Sequence, residues 1–234
     1  MNLRPILYGA AFALVHCLAA CSSSPGEADK PPVEKTEAQK GENTAEAAKL
    51  LVVAFGDSLY AGYGVSQDES LPDDLEDQLR ANGLSVRVHN AGVSGDTTAA
   101  GRQRLAFVLD GLGRKPDLVL LGLGGNDMLR ALKPEETRAN MDAMLAELKK
   151  REIPVILTGM LAAPNLGEDY ADAFNPIYGD MARKYNATLY PFLLDGVVID
   201  PLLMQADRIH PTAKGIDVIV GKLAPVVEAE LRKD

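Results

Sequence analysis

Short apolar runs alternate with amphipathic stretches from residue 50 to the end of the chain. Continuous apolar runs that stop at glycine or asparagine are typical of strands buried on both faces. Apolar positions three and four residues apart are typical of helices. The predicted strands cover residues 50–55, 86–90, 118–123, 153–157 and 187–190. The predicted helices cover residues 71–82, 97–112, 134–150, 170–185 and 212–232.

Strands and helices therefore alternate, and the sequence contains no internal repeat. Residues at the helix ends agree with these boundaries: Asp96 or Thr97 is suited to an N-cap, Pro134 to a first helical position, and Gly83 to the residue after a helix. The pattern predicts an α/β protein, a three-layer α/β/α sandwich with helices on both sides of a mostly parallel sheet.

Residues 1–49 have a different character from the rest of the chain. Residues 1–20 combine a basic head, an apolar run too short to span a bilayer, and small residues, the order found in export signals. Residues 22–49 are rich in proline, lysine and acidic side chains and poor in large apolar ones, which predicts a disordered tether. We therefore expect a signal peptide at 1–20, Cys21 with its tether at 21–49, and a folded domain at 50–234.

The segment Leu18-Ala19-Ala20-Cys21 resembles the lipobox of bacterial lipoproteins. The resemblance implies that Cys21 is lipidated and becomes the first residue of the mature protein. Ser22 then implies sorting to the outer membrane, so we expect an exported protein anchored through its lipid and facing the periplasm. The alternative is a chance cysteine behind an ordinary signal peptide.

Composition limits the partners and cofactors. The net charge is −9, with 24 basic and 33 acidic side chains, and no basic patch is apparent, so nucleic acid is not an expected partner. The two cysteines are Cys17, inside the predicted signal, and Cys21. Because neither is available in the mature domain, we expect no disulfide, no metal site and no cofactor. The oligomeric state stays open.

Candidate catalytic residues follow three different predicted strands. Ser58, Gly92 and Asn126 each come just after the carboxyl end of a strand, and such ends meet at one edge of a parallel sheet. Asp207 and His210 lie three residues apart in a late loop. Ester hydrolysis needs a nucleophile, a base, a group that orients the base and donors for the oxyanion. We therefore predict Ser58, His210 and Asp207 as a catalytic triad, with the amides of Ser58, Gly92 and Asn126 as oxyanion donors.

Each of these residues also has a structural explanation. Ser58 could cap a helix, Asn126 could belong to a turn, and Gly92 could be a backbone-permissive turn position. Asp207 and His210 could be an incidental pair on the surface. His89 is the other histidine outside the signal, but its place in an alternating strand is typical of a half-buried side chain. Asp57 adjoins Ser58, so we assign it to the turn or to a helix cap rather than to the triad.

Four sequence blocks occur in order: Gly56-Asp57-Ser58-Leu59, Asn90-Ala91-Gly92, Gly124-Gly125-Asn126-Asp127 and Asp207-Arg208-Ile209-His210. Together they resemble the SGNH, or GDSL, hydrolase superfamily, and the likeness to its bacterial thioesterase I, lysophospholipase and arylesterase branch covers nearly the whole domain. The resemblance implies a flavodoxin-like, five-stranded sheet. It also implies a mobile loop after Asp127.

Two apolar segments, 128–132 and 161–166, are suited to cover an acyl chain, although ordinary packing beneath the sheet edge would explain them equally. The candidate substrate-binding residues are Met128, Leu129, Leu132, Leu161 and Pro164. The predicted function is a serine esterase acting on small-molecule esters, thioesters or lysophospholipids through an acyl-enzyme. The alternatives are an O-acetyl esterase acting on cell-wall or other polysaccharides, and a non-enzymatic envelope lipoprotein. The natural substrate and its chain length are left undetermined.

Overall fold

The computed structural model describes residues 48–233, and the predicted signal peptide, Cys21 and most of the tether lie outside this range. The described part contains one five-stranded sheet in which every neighbouring pair is parallel, in the order β2-β1-β3-β4-β5. The strands are β1 (Leu50–Gly56), β2 (Val86–Gly92), β3 (Leu118–Gly122), β4 (Val155–Thr158) and β5 (Thr188–Tyr190). The predicted α/β class and the five parallel strands are confirmed.

Helices cover both faces of the sheet. Within residues 48–233 they are α1 (Ser58–Ala61), α2 (Leu71–Ala81), α3 (Thr98–Gly111), α4 (Gly125–Leu129), α5 (Pro134–Lys150), α6 (Glu168–Phe174), α7 (Pro176–Tyr185) and α8 (Ala213–Leu231). Two 3₁₀ turns lie at Gln67–Glu69 and Pro164–Leu166. No helix in this range is long and apolar enough to cross a membrane.

The helix predicted over residues 170–185 is divided into α6 and α7. The division falls at Pro176, which has no amide hydrogen to continue the helical ladder and whose ring crowds the preceding turn. The side chain of Asn175, just before it, accepts a hydrogen bond from the amide of Ala162 at 2.8 Å. The break thus ties this layer to the segment that follows β4.

Alternate residues of β1 build two separate apolar layers. Val52 and Ala54 face α2 and α8, whereas Val53 and Phe55 face α3, α5 and α7. All five residues of β3 are buried, as expected for a central strand covered on both faces. Burial of a Val, Leu or Phe side chain contributes about 1.5–3 kcal/mol each, so these two layers hold the sheet edge in place.

Helix α1 lies directly on the carboxyl ends of the strands. A Cβ on Gly92 would fall 2.3 Å from the backbone nitrogen of Ala61, and one on Gly56 would fall 2.2 Å from the ring of Tyr60. Tyr60 is fully buried and its hydroxyl pairs with Oγ1 of Thr158 at 2.7 Å. The glycines allow this close approach, which fixes Ser58 at the edge of the sheet.

Candidate active site

Ser58 is the first residue of α1, immediately after β1. Asp57 is the N-cap, and its Oδ1 accepts a hydrogen bond from the amide of Leu59 at 3.1 Å. The predicted capping role of Asp57 is confirmed. The sharp turn from strand to helix leaves Ser58 half-buried, with its hydroxyl at the rim of the sheet.

The structure brings Ser58, His210 and Asp207 into one hydrogen-bonded chain. Oγ of Ser58 lies 2.9 Å from Nε2 of His210, although 152 positions separate them in sequence. Nδ1 of His210 lies 2.7 Å from Oδ2 of Asp207. The ring of Tyr63 lies against the imidazole with 4.3 Å between centroids. In this arrangement a carboxylate can fix the imidazole with Nε2 facing the serine hydroxyl.

The carboxylate of Asp207 is held ionised by its partners. Partial burial would raise its pKa, but hydrogen bonds from the His210 ring and from the amides of Ile209 and His210 outweigh this and lower the pKa to about 2. Its Oδ1 accepts those two amides at 2.9 and 3.0 Å. Both oxygens are therefore engaged, which keeps the side chain oriented towards the imidazole.

Asn126 lies in the first turn of α4, directly after β3. Its Nδ2 donates to the carbonyl of Asp96 at 3.0 Å and lies 3.4 Å from Oδ2 of Asp57. The contact with Asp57 is long and weak. One amide hydrogen thus anchors the side chain on the turn after β2, and within residues 48–233 the only other contact of the amide nitrogen is the weak one with Asp57, the residue before Ser58.

Gly92 does not offer its amide to the site. Its N–H donates to Oδ1 of Asn90 at 2.9 Å, and the glycine is required by the approach of α1. The prediction of Gly92 as an oxyanion donor is therefore corrected. Its role is the structural alternative, close packing of a turn.

Two backbone amides, that of Ser58 itself and one in the turn after β2, are uncommitted. Within the described residues, neither the amide of Ser58 nor that of Gly95 has a hydrogen-bond acceptor. Gly95 has φ of 86° and lies in the turn closed by the hydrogen bond from Asp96 N to Val93 O, beside the Asp96 carbonyl that Asn126 contacts. Sequence reasoning missed Gly95, although the Ser-Gly-Asp turn composition after β2 was a usable signal.

Burial changes the pKa of Asp57 more than any of its hydrogen bonds does. Its side chain is 3% exposed, and desolvation raises its pKa to about 6, against the opposing effects of the Leu59 amide and the nearby His210. A carboxyl group of this kind changes charge near neutral pH. It lies one residue from the nucleophile and beside Asn126.

An apolar cleft of about 370 Å³ opens beside Ser58. Four of the five candidate substrate-binding residues, Met128, Leu129, Leu161 and Pro164, line it. Leu132 is not among the lining residues: its amide donates to the Asp127 carbonyl, and its carbonyl accepts a hydrogen bond from the Tyr170 hydroxyl. Ala162 and Ala163, from the predicted apolar segment 161–166, also line it. The lining residues that sequence reasoning missed include Leu59, Met160, Phe192, Leu194, Val198, Arg208 and Ile209.

Comparison with known proteins agrees with this geometry. The model of the GDSL-like lipase/acylhydrolase family matches residues 54–218. The chain is 40% identical to the arylesterase of Vibrio mimicus over 72% of this chain and 84% of the relative. It is 33% identical to thioesterase 1/protease 1/lysophospholipase L1 of Escherichia coli K12 over 81% and 88%, respectively. It superposes with AlinE4, an esterase of the SGNH-hydrolase family, with a TM-score of 0.67 and 49% identity, covering 79% of this chain and 97% of AlinE4.

The chain belongs to the GDSL-like lipase/acylhydrolase family. It is a serine hydrolase acting on esters, with the SGNH-hydrolase fold that the sequence blocks indicated. The alternative of a non-enzymatic lipoprotein is thereby set aside.

Proposed function

We propose that this protein cleaves esters through a covalent acyl-enzyme formed on Ser58. The observation that carries the proposal is the hydrogen-bonded chain from Oγ of Ser58 through His210 to Asp207. A serine hydroxyl is a weak nucleophile until a base accepts its proton. Here the base is within hydrogen-bond distance, and a carboxylate with lowered pKa supports it.

The steps follow from these positions. Oγ of Ser58 attacks the ester carbonyl carbon while its proton passes to Nε2 of His210. The tetrahedral intermediate collapses, and the departing alcohol or thiol takes that proton. Water then attacks the acyl-enzyme with His210 again as base, releasing the acid and restoring Ser58. Asp207 stabilises the imidazolium in both halves without itself taking the proton.

Charge on the tetrahedral oxygen needs donors aimed at it. We assign the side-chain amide of Asn126, the backbone amide of Ser58 and, in place of Gly92, the backbone amide of Gly95. The uncommitted state of the two backbone amides supports this assignment.

The cleft supports substrates with an apolar acyl chain, as carboxylic esters, thioesters or lysophospholipids. Its walls are formed almost entirely by aliphatic, thioether and aromatic side chains. An acetyl group on a polysaccharide would leave this surface unfilled, so the cleft favours longer acyl groups over the O-acetyl esterase alternative.

The test is Ser58→Ala, assayed on p-nitrophenyl esters from acetate to decanoate beside acetylated glycans. Loss of Oγ should remove turnover on every ester, while circular dichroism stays that of the wild type, because Ser58 is half-buried and only one atom is lost. Turnover near the wild-type level in a folded variant would contradict the serine mechanism. Preference for acetylated glycans over longer acyl esters would contradict the proposed acyl-chain substrates.

We also propose that the protein is exported and anchored through a lipid on Cys21, in the outer membrane facing the periplasm. The support is the order of basic head, apolar run, Leu18-Ala19-Ala20 and cysteine in the sequence. Cys21→Ala should abolish labelling by a palmitate analogue and release the protein from membranes. Labelling of that variant as strong as that of the wild type would disprove the anchor.

A further inference from the structure

Arg208, between Asp207 and His210, adopts a backbone conformation that L-residues avoid. Its φ is 57°, in the left-handed region where glycine is normally found. Placing an arginine there costs free energy, and such strain persists only where the surrounding structure enforces it. An arginine at this position, beside the catalytic histidine, therefore calls for an explanation in its side chain.

Hydrogen bonds of the surrounding loop enforce the conformation. The amide of Arg208 donates to the Gln205 carbonyl at 2.9 Å, and Gln205 N donates to the His210 carbonyl at 2.8 Å. The Gln205 side chain donates to the carbonyls of Tyr63 and Pro211. Asp207 accepts the two amides that follow Arg208. Position 208 is thus fixed by the loop that places the Asp207–His210 pair.

The guanidinium of Arg208 has no partner in the part of the chain that the structure describes. It makes neither a salt bridge nor a side-chain hydrogen bond there. The adjacent carboxylate of Asp207 is already engaged with His210 and with two backbone amides. In a protein with a net charge of −9, this cation is left free at the active site.

Arg208 borders two cavities. One is the apolar cleft beside Ser58, and the other is a cavity of about 630 Å³ that also includes Ile199 and Gln205. Val198 and Arg208 line both. The second cavity therefore adjoins the cleft at these two residues.

The position of His210 indicates where the alcohol portion of the substrate lies. Because Nε2 of His210 protonates the leaving oxygen, the alcohol portion of the ester lies on the side of the loop at 205–210. The apolar cleft then holds the acyl portion. Asp57 is the carboxylate lining that cleft, and it disfavours an anion close to Ser58. An anionic group is best accommodated at Arg208, the cationic side chain that lines both the cleft and the second cavity.

Resting on the proposed function, we propose that Arg208 selects esters whose alcohol or thiol portion carries an anionic group, a phosphate or a carboxylate, which its guanidinium binds at the junction of the two cavities. Planar guanidinium groups bind both anions by paired hydrogen bonds. Arg208 is thus a residue of substrate specificity, and the chemical steps remain with Ser58 and His210.

The experiment compares two pairs of substrates that differ in one negative charge. One pair is 3-hexanoyloxy-4-nitrobenzoate and its carboxamide; the other is 1-hexanoylglycerol 3-phosphate and 1-hexanoylglycerol. The readout is the ratio of kcat/KM for the anionic and the neutral member. Arg208→Gln removes the charge, and Arg208→Gly removes it while relieving the positive φ. Arg232→Gln, beyond the far end of α8, is the control for the same change of net charge.

At low ionic strength, both Arg208 variants should lower that ratio about fivefold, mainly through KM of the anionic substrate, whereas Arg232→Gln should not. The effect should shrink as salt approaches 1 M, since the guanidinium is exposed. If the ratio falls only for the glycerol pair, the preferred anion is a phosphate; if it falls only for the nitrobenzoate pair, the preferred anion is a carboxylate. An unchanged ratio in both pairs, or equal losses on anionic and neutral substrates, would overturn the proposal.

A binding measurement separates this proposal from the proposed catalysis. In Ser58→Ala protein, n-octyl phosphate should bind more tightly than n-octanol, and adding Arg208→Gln should weaken only the phosphate, about fivefold. Titration calorimetry measures both. Equal weakening of both ligands, or none, would refute anion binding by Arg208, whereas residual ester turnover by Ser58→Ala would refute only the mechanism.

Discussion

Asn126 illustrates how one side chain is fitted to the site by its neighbours. One hydrogen of its side-chain amide is donated to the backbone carbonyl of Asp96. The amide nitrogen also lies beside the carboxyl group of Asp57, whose pKa is raised to about 6 by burial. The 3.4 Å separation from Asp57 is too long for a strong hydrogen bond. The second amide hydrogen can therefore bind a developing oxyanion without giving up a strong hydrogen bond.

An oxyanion donor acts mainly where charge develops, so Asn126→Ala should lower kcat by about 10²–10³ with little change in KM. Steady-state kinetics on a p-nitrophenyl ester measures both constants. The variant should still react with an organophosphate at Ser58, only more slowly. Asn140→Ala, on α5, is the matched control and should leave both constants near those of the wild type. A rise in KM alone would assign Asn126 to substrate binding or to the turn.

Arg104, on α3, joins the ends of two strands and the turn that follows them. Its Nη1 donates to the Ala91 carbonyl at 2.8 Å and its Nη2 to the Gly56 carbonyl at 2.9 Å. Its Nε donates to Asp96 at 2.6 Å, and the guanidinium lies 3.9 Å from the centre of the Phe55 ring. One side chain of a helix thus holds the edge where the nucleophile and the oxyanion turn meet.

Arg104→Lys should destabilise the protein by about 2–4 kcal/mol, because an ammonium cannot reach both carbonyls and Asp96 together. It should also reduce kcat, since the turn containing Gly95 loses its support. Urea denaturation and ester kinetics test the two effects. Arg138→Lys, at a partly exposed ion pair with Asp180, is the control and should cost less than about 1 kcal/mol. Equal stability of the two variants would argue against a special role for Arg104.

Two buried carboxyl groups in the described residues affect the stability of the molecule differently. Asp127 accepts hydrogen bonds from the amide and hydroxyl of Thr98 and from the hydroxyl of Thr137. These bonds link the starts of α3 and α4 with α5. Asp57 receives one backbone amide and a weak contact, so its burial is poorly compensated and its pKa rises to about 6. The burial of Asp57 next to the nucleophile therefore lowers the free energy of unfolding when Asp57 is ionised.

The raised pKa of Asp57 determines how the free energy of unfolding depends on pH. Because the pKa of Asp57 is higher in the folded state than its usual value of 3.8, its contribution to stability is present below about pH 4 and is lost as pH rises through 6. Asp57→Asn removes this loss but keeps an oxygen for the Leu59 amide. The free energy of unfolding of the variant relative to the wild type should therefore increase between pH 4 and pH 8, on the order of 2–3 kcal/mol.

Urea denaturation at several pH values, without substrate, measures this difference. Asp68→Asn, in an exposed 3₁₀ turn, is the control for removing one negative charge. A difference between Asp57→Asn and the wild type that is independent of pH would show that Asp57 titrates alike in the folded and unfolded chains.

The sequence by itself determined the strands, most helices and the family, because apolar periodicity and turn residues act over a few neighbours. It also indicated that Ser58 and Asn126 meet at one edge, since parallel strands end together. The order of the strands came only from the family resemblance, because no local pattern states which strand lies beside which.

Tertiary structure alone decided where amides and side chains point. Gly92 and Gly95 are both glycines after β2, and the sequence does not distinguish them. In the structure Gly92 packs against α1 and its amide donates to Asn90, whereas Gly95 lies in a left-handed turn and its amide has no acceptor among the described residues. Leu132 carries the same apolar signal as Leu129, but only Leu129 lines the cleft. The conformation of Arg208 depends on hydrogen bonds to the distant Tyr63 segment. Such contacts are absent from local sequence, because they form only when remote segments meet.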